Sequence, residues 1–323
     1  MRSGCLKFPL VRAVTIRDGR LVVDERPDPT PGTNELLVRV RGAGLNAADM
    51  LQRRGAYPAP PGSPADIPGL ELAGEVVGLG PGAMRFAEGD RVMAVVGGGA
   101  QAELALVHER GAMPVPAGID WPQAGGLPEA FATAHDAIFS QAGLCSGEHL
   151  LVHGAAGGVG TAAVQLGRVA GARVTATVRR AELRPEVERL GARAIAPEEF
   201  AAEGPYDVIL ELVGAGNLAE NLESLATGGR IVVIGVGGSG PKAEINLLVL
   251  MRTRGRIQAS TLRARPLEQK ALVSRRVEKQ VLPHFESGAL RVPVAAVFAL
   301  DDVEVAYERF ESGGKLGKIV LTP

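Results

Sequence analysis

Sulfur, aromatic rings and uncompensated charge are all scarce in this chain. Its 323 residues include two cysteines, Cys5 and Cys145, too few for a disulfide framework or a cysteine-built zinc site. That usage fits a reducing, cytoplasmic setting. Aromatic residues make up 4% of the chain, and 35 Lys and Arg against 36 Asp and Glu leave a formal net charge of -1. Such a balance gives no reason to expect nucleic acid or an anionic membrane surface as partner. Nowhere does the sequence approach the roughly 18 to 20 consecutive apolar residues of a membrane span. The amino end, MRSGCLKFPLVRAV, has basic residues but no apolar core of signal-peptide length. Regular patterning begins near Val11, so the first ten residues read as an extension.

What is plentiful is apolar side chain, 46%, together with glycine (43) and proline (22). This is a globular composition with ample core and many tight turns, and the length suits about two domains. Residues 11–120 read as short strands broken by turns. AVTI and LVVDE flank Asp18-Gly19, a hairpin signal. The alternation in Leu37-Val38-Arg39-Val40-Arg41 is that of a half-buried strand. The stretch as a whole suggests an antiparallel, barrel-like β unit with one short helix near Ala47–Arg53.

From about Pro122 the texture changes. Helices are expected over Glu129–Gln141, from the glycine turn to Ala170, in AELRPEVERLG, in NLAENLESLA and over Pro266–Ser287. Apolar strands are expected at His149–His153, ARVTATV, YDVILELVG, GRIVVIG and GRIQAST. Strands alternating with amphipathic helices mean a parallel, doubly wound sheet, so the fold class is α/β.

HGAAGGVG follows the first of these strands and opens a helix inside a βαβ unit. It places Ala155, Gly157 and Gly160 at the three fingerprint positions of a dinucleotide-binding turn. Gly157 is where backbone must approach a pyrophosphate, and Gly160 is where helix and strand pack closely. An alanine at the first position costs little provided its φ is not positive. The end of the second strand discriminates between nucleotides. An NAD site would carry Asp or Glu there, to hold the ribose 2′-hydroxyl. This chain has Arg179 and Arg180, with Arg184 a turn later, which suits a 2′-phosphate. NADPH is therefore the expected cofactor.

The ordered set GLNAADMLQRRGAYPAPPG, IPGLELAGEVVGLGPG, GGGAQAELALV, LPEAFATA, VHGAAGGVG, TRGRIQASTLRAR, QVLPHF and GKIVL resembles the zinc-independent, ζ-crystallin-like quinone oxidoreductases of the medium-chain dehydrogenase/reductase superfamily. The resemblance runs over nearly the whole chain from about Val11. It implies a GroES-like catalytic domain made from residues 1–124 and 266–323, wrapped around a Rossmann domain at 125–265. It also implies a homodimer, with GRIQAST the expected edge strand. Zinc-dependent relatives need Cys, His and Glu ligands, and here the first two ligand positions read Asn46 and Leu70. No metal is expected, and a quinone or enone can delocalise incoming charge without one.

By that resemblance Asn46, Asp49 and Tyr57 lie near the reacting centre. Two of them also have a plain structural alternative: Asp49 as a helix cap or loop carboxylate, Tyr57 as a turn-packing ring. Thr133 lines the nicotinamide pocket or serves as a core threonine, and Gly69 and Glu71 form a recurring turn and its acid. The cofactor site would comprise Ala155, Ala156, Gly157, Gly158, Val159, Gly160, Arg179, Arg180, Gly235, Val236, Leu262 and Arg263. Lys318 reaches the cofactor phosphates or is a strand-edge lysine. Relatives often hold the 2′-phosphate with a lysine and a tyrosine. Here the lysine position falls near Leu183 and the tyrosine is absent from GARAIAPEEF, so arginines would have to rebuild the grip. The expected activity is NADPH-dependent reduction of a small quinone. The alternatives are an enone, alkenal or enoyl-thioester reductase, and a non-catalytic NADPH-binding sensor or structural protein.

Overall fold

The computed structural model describes residues 10–323; Cys5 and the amino-terminal extension fall outside them. The chain opens on the hairpin Leu10–Arg17 and Arg20–Pro27, with Arg17 opposite Arg20. Asp18 (φ 50) and Gly19 (φ 75) make its turn, the positive-φ pair that matches strand twist in a two-residue loop.

A seven-stranded sheet follows the order Val294–Ala299, Lys318–Thr322, Glu35–Gly44, Glu71–Leu79, Arg91–Val95 and Ala112–Pro114, with Leu104–His108 added against Glu35–Gly44. Its first two members come from the carboxyl end of the chain, and Val320 and Leu321 pair with Gly44 and Ala43. The far end of the sequence thus returns to the amino-terminal β unit. The helix Ala47–Arg53 leaves this sheet directly.

The second sheet has six strands, all parallel, in the order Arg193–Ile195, Arg173–Thr177, His149–Val152, Tyr206–Glu211, Leu225–Val233 and Arg256–Ala259. Its apolar strands are covered by helices such as Gly158–Val169 and Leu218–Glu223, as burial on both faces requires. The order reverses between His149–Val152 and Tyr206–Glu211, the topological switch point where ligands bind in such sheets. Arg256–Ala259 is an edge.

Two helices depart from the sequence expectation in detail. The one expected over Glu129–Gln141 is α-helical over Pro128–His135 and continues as a wider π-type turn over Asp136–Gln141. The one expected over Pro266–Ser287 is two helices, Leu267–Gln280 and Leu282–Glu286, because Pro283 cannot continue a helical ladder. The strand Arg193–Ile195 and the helix Leu247–Thr253 were not anticipated. A single apolar cluster joins the two units, running from Ala73, Met93 and Met113 through Leu127 and Phe131 to Leu150, Val152 and Val164.

Candidate active site

The glycine turn shows which constraints belong to the chain and which do not. Gly154 is the turn's left-handed residue (φ 64), so Ala155 meets the condition placed on it. At Gly160 a Cβ would lie 2.6 Å from the Cα of Ala155 and 2.6 Å from the carbonyl of Gly154; only glycine lets helix and strand approach this closely. Gly157 is different. Its φ of -75 suits any residue, and a Cβ there would meet just the Gly154 carbonyl, at 3.5 Å. Neither strain nor internal packing demands glycine at this point. Gly157 caps the start of Gly158–Val169, whose first N–H groups have no intrahelical acceptor. Backbone of this kind could hold an anion, with Ala155, Ala156, Gly157, Gly158, Val159 and Gly160 as the residues around it.

Arg179 and Arg180 lie just past the strand Arg173–Thr177, both exposed. Arg180 Nη1 is 3.6 Å from Glu182 Oε1 on the adjoining turn, and Arg184 Nε donates to the Val178 carbonyl at 3.2 Å. Gly235 and Val236 follow the strand Leu225–Val233; a Cβ on Gly235 would overlap the Leu212 carbonyl, and Val236 stands exposed.

Across the cleft, a buried polar knot organises the β-rich unit. The Lys318 ammonium forms an ion pair with Glu71 Oε1 (2.6 Å) and donates to Asn46 Oδ1 (2.7 Å) and the Leu45 carbonyl (2.7 Å). Asn46 Nδ2 donates in turn to Glu71 Oε1 (2.9 Å) and the Gly44 carbonyl (3.1 Å). The second oxygen of Glu71 accepts the backbone N–H of Glu129 at 2.8 Å. Lys318 is therefore neither a strand-edge lysine nor a free phosphate ligand. Its ammonium is engaged inside the protein by one carboxylate and two oxygen acceptors, although its stem lies so close to Gly158 that a Cβ there would meet it at 2.6 Å.

Asp49 is fully buried and accepts the N–H groups of Asn46 (2.8 Å) and Gly69 (3.0 Å). It pins the start of its helix to a glycine whose φ of +107 excludes other residues. Burial pushes its carboxyl up to about 7 despite those two donors. Both of its carboxylate oxygens are thus taken up inside the protein. Thr133 is buried, and its hydroxyl donates to Glu129 Oε1 at 3.0 Å. Glu129 itself went unnoticed inside LPEAFATA. Its Oε2 is sealed from solvent without a hydrogen-bond partner among the described residues, and burial, then the neighbouring Glu71 charge, raise its carboxyl to about 7.

Leu262 and Arg263 face inward. Arg263 is 2% exposed. It donates to the carbonyls of Gly97 (2.8 Å) and Tyr57 (3.1 Å) and to Gln52, and lies 5.2 Å from the Tyr57 ring centroid. Arg263 is thus not free for the cofactor that the sequence leads one to expect on it: its donors fix the Tyr57 loop instead, and Tyr57 is left half-buried with its ring on a cation. Arg265 is likewise held, by Asp136 at 2.5 Å. His149 and His153 are buried under the parallel sheet and bonded to Thr175 (2.8 Å) and to Thr177 and Asn221 (3.1 and 2.8 Å). A cavity of about 500 Å³ lined by Pro64, Ile67, Val95, Gly97 and Lys270 flanks the Arg263 loop and does not reach the glycine turn.

Comparison with known proteins agrees with this geometry. Residues 32–117 match the model of the alcohol dehydrogenase GroES-like domain, and residues 190–321 that of zinc-binding dehydrogenases. The quinone oxidoreductase of Rattus norvegicus is 31% identical over 306 residues, 91% of this chain and 90% of that protein. That of Lama guanicoe is 31% identical over 330 residues, 97% of each. This chain belongs to the quinone oxidoreductases of the medium-chain dehydrogenase/reductase superfamily. As an oxidoreductase of that family, it uses a nicotinamide cofactor and a small-molecule substrate. An alcohol dehydrogenase superfamily protein from Novosphingobium aromaticivorans has the same fold, with a TM-score of 0.86 and 27% identity over 98% of this chain and 100% of that one.

Proposed function

We propose that this oxidoreductase reduces small quinones with NADPH and without zinc. Residues 1–124 and 266–323 serve as the catalytic domain, and 125–265 as the NADPH domain. The observation that carries the reading is the Asn46–Lys318–Glu71 knot. Where zinc-dependent relatives need a ligand, this chain has a neutral amide whose oxygen already accepts an ammonium proton, and Leu70 supplies no donor at the second position. A cation in that place would face Lys318, not a thiolate or an imidazole.

Bound NADPH supplies the hydride. The pyrophosphate would lie on the cradle at Gly157–Gly160, the 2′-phosphate at Arg179 and Arg180, and the nicotinamide near Thr133, Gly235 and Val236. With no Lewis acid, the protein's contribution is to stack a flat substrate against the nicotinamide and to exclude water. Tyr57, held by Arg263, is the residue we assign to that role, a reading its half-buried ring supports. An unactivated ketone would need more help than this site offers, whereas a quinone spreads the incoming charge itself. Thioester substrates are disfavoured because Arg263 and Arg265, the candidate cations for an anchoring channel, are both engaged internally. The protein is proposed to act as a homodimer joined through the edge strand Arg256–Ala259.

The test is a substrate panel in chelator-treated buffer. Purified protein should oxidise NADPH faster with 1,2-naphthoquinone than with crotonaldehyde or a simple ketone; the reverse order would favour the enone reading. Arg180→Ala should weaken NADPH binding by about ten- to a hundredfold, the worth of one charge-assisted hydrogen bond, while leaving NADH nearly unchanged. Equal loss for both nucleotides would remove the 2′-phosphate assignment.

A further inference from the structure

A second basic group lies on a loop that the other unit lays against the glycine turn. The loop between the helix Val303–Glu311 and the strand Lys318–Thr322 crosses the cleft and is tied to the cradle at one end. There the Gly317 N–H donates to the Ala156 carbonyl at 2.8 Å, and Gly317 pairs with Gly157 as an isolated β-bridge. At its other end the loop rests on the arginine pair. A Cβ on Gly314 would overlap the Arg180 guanidinium, and one on Gly313 would lie 3.7 Å from Arg179 Nη2. Lys315 stands between these two anchor points, and so between the pyrophosphate cradle and the end of the second strand.

The charges that act most strongly on Lys315 are positive. Lys318 and Arg309 both repel it, and Arg179 and Arg180 stand against the preceding two residues. The nearby acids are already paired: Glu71 with Lys318, Glu182 with Arg180 and Glu311 with Arg54. Arg309 caps the carbonyls of Gly313 and Gly314 (2.7 and 3.3 Å). Among the described residues Lys315 has no carboxylate at ion-pair distance; its ammonium lies 4.2 Å from the Phe310 ring centroid. A half-buried ammonium amid four other cations, with no anion of its own, is a site short of negative charge.

We propose that Lys315 binds a phosphate of the dinucleotide from the β-rich unit, completing across the cleft the site that Arg179 and Arg180 begin. This rests on the NADPH reading above. It also supplies a cation for the 2′-phosphate where the usual lysine position holds Leu183. Burial, then the charges of Lys318 and Arg309, lower the free ammonium to about 8. A phosphate beside it favours the charged form and raises that value. The sign of the linkage follows. Slightly above pH 8 the free protein has lost part of this proton and the complex regains it, so cofactor binding takes up protons.

Titration calorimetry of the full chain with NADPH and with NADH, at about pH 8.5 in Tris and in HEPES, reads both quantities. Lys315→Met should weaken binding about ten- to a hundredfold and abolish proton uptake. Lys315→Arg should keep most of the affinity but also lose the uptake, since a guanidinium does not titrate there. Loss confined to NADPH places the ammonium on the 2′-phosphate; equal loss for NADPH and NADH places it on the pyrophosphate. Unchanged affinity for both nucleotides in Lys315→Met, or uptake that persists in Lys315→Arg, overturns the proposal. A wild-type protein that binds NADH as tightly as NADPH would instead defeat the cofactor reading, and the Lys315 variants would still report on the pyrophosphate.

Discussion

At the scale of single residues, the site is governed by buried charges that satisfy one another. Glu71, Lys318 and Asn46 form a closed set, and Glu129 hangs from it through its backbone N–H. The Glu129 carboxyl is the unbalanced member, raised to about 7 by burial and then by Glu71. A raised acid helps the folded state below its unfolded pKa and loses that contribution as pH climbs to the folded value. The buried histidines, whose pKa values are lowered, act in the opposite direction over part of the same range, so the wild-type curve alone is not diagnostic. The difference between Glu129→Gln and wild type isolates the acid. Urea unfolding should show this difference shifting in favour of the variant by about 1–3 kcal/mol between pH 5 and pH 8, since a tenfold change in proton affinity is worth about 1.4 kcal/mol. A difference that stays flat or moves the other way would mean Glu129 is ionised throughout. None of this was legible in LPEAFATA, because whether a glutamate is solvated or stranded depends on what folds over it, here a strand 58 residues away.

At the scale of elements, the glycine turn separates two demands that its sequence merges. Gly160→Ala should destabilise the protein by about 1–3 kcal/mol, the usual cost of forcing a methyl into a packed contact, because its Cβ meets backbone at 2.6 Å. Gly157→Ala should leave the thermal midpoint within the scatter of wild type yet weaken NADPH at least tenfold, since its methyl would stand where only a ligand comes. If calorimetry shows undiminished NADPH affinity in Gly157→Ala, the pyrophosphate does not lie on that residue. Turn, strands and doubly wound order were legible because apolar period and glycine spacing are local signals. The same holds for the short helix expected near Ala47–Arg53. Lys318 and Arg263 were misjudged for the opposite reason: each sits in or beside a motif that implies a cofactor, but its partners, Asn46 and Glu71 for one and Gln52 and Gly97 for the other, come from distant segments that sequence spacing does not reveal. The helix Leu247–Thr253 was missed because its apolar residues do not all face a core of this chain.

That helix sets the question at the scale of the whole molecule. Leu247, Leu248 and Met251 are 66%, 76% and 71% exposed, and they lie immediately before Arg256–Ala259, the open edge of the six-stranded sheet. Three large apolar side chains on one short helix beside a strand paired on one side only among the described residues are a poor surface for a lone chain, since the edge offers free N–H and C=O groups to any strand and the helix adds apolar area. Two copies related by a twofold axis would cover both features at once, pairing edge to edge into one continuous sheet with the helices packed across the seam. Light scattering at micromolar concentration should therefore give twice the chain mass for wild type, and the chain mass for Leu248→Asp combined with Met251→Asp. Because the cradle and the arginine pair come from other elements, the double variant should still bind NADPH with near wild-type affinity. A wild-type monomer would rule out the edge-to-edge arrangement, and a double variant that stays dimeric would move the interface elsewhere on the surface.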